Sequence, residues 1–259
     1  MVSVLRPGQR ILNIPAIGVS TSRRAVSSGN GLLNSLIAYW PGNEASGNML
    51  DAHTNGLTLT PNGALGNATG KVYPTARNFA ATTLYASRAD SALISAGDVD
   101  FTLSAWSYLT SIVASSSIAG KEAGGGQREY NLGYDAVSRR FWFAVSTGYG
   151  WFYAPASSLG APAINTWYLV VGWHDSVANT INVQIDNGTV DSVAHAAGVK
   201  DGTAAFYIGY SDLLGYSKCY ASPVAMWKSA ANGGGVLTAA QRTALWNAGA
   251  GLPYASFTV

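Results

Sequence analysis

From Leu36 onward, apolar and polar residues alternate in short runs with a period of two, the signature of half-buried β-strands. The clearest run is 101–109. Phe101, Leu103, Ala105 and Leu109 fall on one face, and Thr102, Ser104, Trp106 and Tyr108 on the other. Further strands are predicted at 36–40, 57–60, 141–145, 151–154, 181–185, 189–193, 206–210 and 224–227. Residues 167–173 are almost continuously apolar, which predicts a central strand covered on both faces. Asp186-Asn187-Gly188 predicts a tight hairpin turn, with Asn187-Gly188 supplying the positive φ angles. One helix is predicted near 238–248. Thr238 is its N-cap, Gln241 closes a capping box and Gly249 is the expected left-handed cap. Many strands and one terminal helix predict an all-β fold, a sandwich or barrel, over residues 36–259.

Residues 1–35 break this pattern. They show no sustained period, and they carry Pro7, Pro15 and a Ser/Arg-rich stretch from Ser20. They are read as an extended N-terminal arm and linker. Arg6, Arg10, Arg23 and Arg24 stand there with no acid among the first thirty residues, and Ile11, Leu12 and Ile14 add apolar area. These residues predict an arm that docks on a neighbouring subunit, the alternative being an arm that packs back on its own sandwich.

Composition narrows the function. Only 11% of residues are charged, which suggests that partner subunits, further copies of this chain among them, cover part of the surface. A net charge of +2 with no basic run argues against a nucleic-acid binder. No apolar run is long enough to span a membrane, and the N-terminus lacks the apolar core of a secretory signal. Cys219 is the single cysteine, so no internal disulfide or cysteine-based zinc site can form.

Six segments in order resemble the laminin-G-like jelly-roll family of the concanavalin-A-like superfamily. They are 36–41 with Glu44 and Ser46-Gly47, 51–59, 101–106, 166–175, 183–188, and 237–241 with 245–249. The resemblance implies two curved antiparallel sheets and a role in binding carbohydrates or proteins, although some superfamily members are glycosidases. It also implies a calcium site in many relatives, held by an early loop and a late acidic pair. Asp51 matches the early loop, but Ser222-Pro223 stands where the acids belong. No cofactor is therefore expected, and Asp51 remains a weak metal candidate whose alternative role is to organise a turn.

Glycoside hydrolysis needs two carboxylates about 5–9 Å apart. No predicted strand carries two on one face. Glu122 and Glu129 flank Gly124-Gly125-Gly126, read as a flexible loop. No catalytic residue is assigned and no enzymatic activity is expected. His53, His174 and His195 lie in separate segments without metal spacing and are read as solvated loop residues. Tyr149, Trp151 and Tyr153 cluster near one hairpin, with Trp142 close in sequence. They form either a stacking platform for a sugar or part of the sheet interior. Two functions follow. The first is a non-catalytic structural protein of a bacteriophage virion, a capsid decoration or tail-surface component that can also meet a cell-surface glycan. The second is a free carbohydrate-binding module.

Overall fold

The computed structural model describes residues 29–80, 83–229 and 234–259. Five short strands open the fold: β1 (Leu36–Trp40), β2 (Thr60–Pro61), β3 (Gly66–Thr69), β4 (Thr75–Asn78) and β5 (Ala86–Arg88). Longer strands follow as β6 (Phe101–Leu109), β7 (Ser116–Lys121), β8 (Tyr130–Asp135), β9 (Arg140–Ser146) and β10 (Trp151–Pro155). Then come β11 (Trp167–Asp175), β12 (Thr180–Ile185), β13 (Val190–Ala194) and β14 (Phe206–Ile208). A small hairpin, β15 (Tyr210–Ser211) and β16 (Gly215–Tyr216), leads into β17 (Cys219–Lys228) and helix α1 (Ala239–Trp246).

The strands pair antiparallel in two large sheets. One has the order β13-β12-β11-β6-β17-β4-β3, with β1 also on β17. The other has the order β10-β9-β8-β7-β14-β5-β2. Period-two alternation sends Phe101, Leu103, Ala105 and Leu109 of β6 into the layer between the sheets, against Leu132, Phe141, Phe143 and Val145. The opposite face of β6 enters a second apolar layer. There Trp106, Leu169, Val171, Trp173 and Trp227 are covered by Leu32, Leu245 and Phe257. The first sheet is thus buried on both faces, which explains the unbroken apolar run of β11. Among the described residues the one α-helix packs on the first sheet, not on the outer face of the second.

Thr238 caps α1 through the expected box with Gln241. The helix ends two residues earlier than Gly249 suggested. Asn247 takes the left-handed cap at φ 47°, which an Asn tolerates, and its N–H reaches Thr243 O. The β12–β13 turn also differs from expectation. Asp186, at φ 57°, is the left-handed residue, because its N–H and its Oδ1 both pair with the Leu169 backbone on β11. The arm residues Arg6, Arg10, Ile11, Leu12, Ile14, Arg23 and Arg24 lie outside the described residues. In the adjoining stretch, Leu32 is fully buried and its carbonyl accepts from Trp227 Nε1 at 2.8 Å, so packing on the sandwich begins ahead of β1.

His174 and His195 are buried, not solvated. His174 sits on central strand β11 with Nδ1 3.0 Å from Val99 O, and His195 Nε2 lies 2.7 Å from Gly198 O. Burial pushes the His174 imidazole below its ordinary pKa. His53 Nδ1 lies 3.1 Å from the Tyr254 hydroxyl.

Candidate functional site on the open sheet

A pocket of about 340 Å³ opens on the outer face of the second sheet. Period two explains its lining. Tyr130, Leu132 and Tyr134 of β8 point into the core, so Asn131, Gly133 and Asp135 point out. Trp142 of β9 stands between the inward Phe141 and Phe143. On the next strand, β10, Trp151, Tyr153 and Pro155 line the pocket. Glu122, one residue past β7, lines it too, with Ser115 and Ser138. Leu213 and Leu214 of the β15–β16 turn complete the lining.

Trp142 and Tyr153 meet edge to face at 5.4 Å, and Trp151 lies 6.5 Å from Tyr153. Trp142 can lie across the sheet because its partner in register is Gly133. A Cβ there would come within 2.5 Å of the indole and 2.6 Å of Ser116 O. Tyr149, the third aromatic singled out from the sequence, does not line the pocket. It sits at the tip of the β9–β10 hairpin, 77% exposed, with its ring over Gly126.

The β15–β16 hairpin is anchored by a cluster of tyrosines. Tyr210 packs 5.1 Å from Tyr85, 5.2 Å from Tyr207 and 5.1 Å from Tyr216. Ser211 adds a second anchor. Its hydroxyl donates a short hydrogen bond to Glu122 and accepts from the Leu213 and Leu214 N–H groups. Hairpin position and the Glu122 carboxyl are therefore linked.

The carboxylates have separate environments. Burial pushes Glu122 up to about 7, against opposing contacts from Leu213 N–H, Asn131 and Arg128. Asn131 donates no hydrogen bond of ordinary geometry through its buried Nδ2, while its Oδ1 accepts from Ser117 Oγ at 2.8 Å. Burial also works to raise Asp135, but hydrogen bonds from Ser138, Ser115 and Val137 outweigh it and hold the carboxylate below its ordinary value.

Glu129 is not at this site. It lies fully buried beside Lys121, with Oε1 accepting from Gly202 N at 2.8 Å and Oε2 from Ala96 N at 3.0 Å. The segment between Glu122 and Glu129 is the β7–β8 connection, its backbone closed by Ala123 N–H to Gln127 O at 3.3 Å. Glu122 and Glu129 are neighbours along the chain but not in space at this site. The carboxylate that shares the pocket with Glu122 is Asp135, from the far end of the neighbouring strand.

Asp51 makes a turn. Its Oδ1 accepts from Tyr39 N at 3.0 Å and His53 N at 2.9 Å, and Oδ2 accepts from Leu57 N at 2.9 Å. Ser222 Oγ is committed to Pro41 O. These residues do not fit a calcium site, which needs several free oxygen ligands around the ion. Among the described residues no group of three or more His, Cys, Asp or Glu is placed to hold a metal ion, and no helix is long and apolar enough to cross a membrane.

The fold recurs in solved structures. Domain 4 of an extracellular GH43 arabinanase from Geobacillus stearothermophilus, in complex with arabinotriose, is similar with a TM-score of 0.60 at 15% identity, over 81% of this chain and 97% of that one. The ligand-binding domain of botulinum neurotoxin serotype D in complex with N-acetylneuraminic acid is similar with a TM-score of 0.60 at 11% identity, over 85% of this chain and 52% of that one. Trypanosoma rangeli sialidase is similar with a TM-score of 0.57 at 15% identity, over 82% of this chain and 32% of that one. The chain thus spans about half of the toxin domain and a third of the sialidase. No curated protein matches the chain in sequence. Residues 81–230, which run from β5 through β17 and supply every strand of the pocket, match the Laminin_G_3 family. With more than half its length in that match and the paired sheets to go with it, the chain belongs to this family of the concanavalin A-like lectin/glucanases superfamily.

Proposed function

We propose that this domain is a non-catalytic carbohydrate-binding module whose ligand enters the pocket between β10 and the β15–β16 hairpin. One observation carries this reading. Trp142, Trp151 and Tyr153 converge on a concave site that also holds Glu122 and Asn131. Flat rings pack on the apolar faces of a sugar, and a few buried polar groups fix its hydroxyls. Tyr149 serves as an outer contact for a ligand long enough to run past Trp151 to the hairpin tip.

Catalysis is left out for a geometric reason. Asp135 spends its oxygens on the β8–β9 turn and on Ser115, so it is not free to act as a base or nucleophile beside Glu122. Turnover of a polysaccharide that disappears in Glu122→Gln would refute this part of the proposal.

Binding is tested on a glycan array, followed by calorimetry on the best ligand. Trp151→Ala/Tyr153→Ala should weaken binding by about 10- to 100-fold, since each ring contributes roughly 1 kcal/mol and tenfold corresponds to 1.4 kcal/mol. Unchanged affinity in a folded double variant would exclude the pocket.

As the second part of the proposal, the module is carried on a larger assembly, a bacteriophage virion surface, with residues 1–30 joining it to neighbouring subunits. The sparse charge and the acid-free Arg6, Arg10, Arg23 and Arg24 support this setting. Deleting residues 2–30 should abolish co-sedimentation with the particle. Full incorporation of the truncated chain would remove the arm from the proposal.

A further inference from the structure

The neighbouring fold members bind ligands of different charge, so the charge of the pocket lining becomes informative. Among the described residues two carboxylates line it, Glu122 and Asp135, and no Lys, Arg or His does. Arg128 stands close enough to Glu122 to favour its ionised form. Its guanidinium, however, donates to Tyr149 O at the hairpin tip and does not line the pocket.

The polar groups at the base of the pocket have complementary chemistry. Glu122 is 2% exposed and presents carboxyl oxygens, and the buried Asn131 amide lines the pocket beside it and favours its ionised form. A sugar hydroxyl both donates and accepts, so it can serve the carboxyl and the amide together. An anionic ligand group can accept from Asn131, but it would have to be stripped of water beside two carboxyl groups with no lining cation to offset the cost.

We propose that the pocket takes uncharged sugar units and rejects carboxylated ones, with Glu122 and Asn131 as the specificity-determining pair. This selectivity rests on the carbohydrate-binding reading above and runs opposite to the N-acetylneuraminic acid complex of the toxin domain. The apolar walls from Trp142, Trp151 and Leu214 suit such a ligand, because they favour ring faces and offer nothing to a charge.

The test uses an array of matched neutral and acidic glycans, including lactose against sialyllactose and galactotriose against trigalacturonic acid, at neutral pH and physiological salt. The wild-type protein should bind the neutral member of a pair at least tenfold more tightly. In Glu122→Gln/Asp135→Asn the ratio should fall below threefold, through tighter binding of the acidic member. Equal or tighter wild-type binding of the acidic members would overturn this inference and leave the carbohydrate-binding reading intact. Binding of no glycan, neutral or acidic, would overturn both. The wild-type comparison decides the matter even where the double variant fails to fold.

Discussion

Replacing Lys121 with Met is expected to lower the unfolding free energy by about 3–5 kcal/mol at neutral pH, the usual result of stripping a buried charge of its partner. The Lys121 ammonium is fully buried. It touches Glu129, reaches Asp90 Oδ1 at 2.9 Å and donates to Gly202 O at 2.7 Å. Glu129 in turn holds the Ala96 and Gly202 backbone N–H groups. One ion pair therefore fastens β7 to the 90–96 loop and the 200–204 segment. Burial already pushes Glu129 above its ordinary pKa, against the opposing pull of Lys121. Without Lys121 that carboxyl must take up a proton or stay charged and unpaired. The lost stability should thus be smallest at acid pH and grow as pH rises through the raised Glu129 value. Lys121→Met/Glu129→Gln should recover part of it, because the amide oxygen still accepts from a backbone N–H. Urea unfolding at pH 5 and pH 7.5 measures both effects. A loss below about 1 kcal/mol in Lys121→Met would show that the network is not the fastening described.

The second large effect is a pH dependence. Burial lifts Glu122 from its ordinary 4.5 to about 7. The folded state therefore holds this proton more tightly than the unfolded state. The resulting stability is complete below about pH 4.5 and is lost as pH rises through about 7. At roughly 1.4 kcal/mol per pH unit, the loss is about 3 kcal/mol between those limits. Glu122→Gln is neutral throughout and keeps an oxygen for the Ser211 hydroxyl. The stability of the variant relative to wild type should therefore climb by about 3 kcal/mol from pH 4.5 to pH 8, with other titrating groups cancelling in the difference. A difference that stays flat would mean that Glu122 is solvated. Because Ser211 links this carboxyl to Leu213 and Leu214, the same titration should alter the protection of their N–H groups in hydrogen exchange.

The sandwich was legible in the sequence wherever one physical signal dominated. β6 and β11 declare themselves through alternation and through an unbroken apolar run, and α1 through Thr238 and Gln241. β7 and β8 were missed. SSIAGK has a single large apolar residue, and in YNLGYD the inward Tyr130, Leu132 and Tyr134 are separated by Asn131 and Gly133, which read as turn residues. Those two outward positions are the ones the pocket uses. Asn131 supplies a polar group, and Gly133 leaves room for Trp142. Trp151 and Tyr153 were recognisable because aromatics on a hairpin stand out. Glu122, Asn131 and Asp135 were not, because they meet across strands whose pairing no single segment encodes. The period-two pattern of 130–135, weighted toward its aromatic face, was the signal that would have exposed them.

The two ends of the described body are knotted together by side chains. Asn30 N and Thr258 Oγ1 lie 2.6 Å apart, and Asn30 Nδ2 donates to Ser256 O at 2.7 Å. Both ends lie in the layer of Leu32 and Phe257, while the pocket opens beyond the second sheet. A tether at either end consequently grips the body at one spot, with both sheets between that grip and the binding face. Such a domain behaves as a cassette. It can hang from a scaffold by its back or be spliced into a loop of a host chain, and in either setting its aromatic pocket is free to face outward.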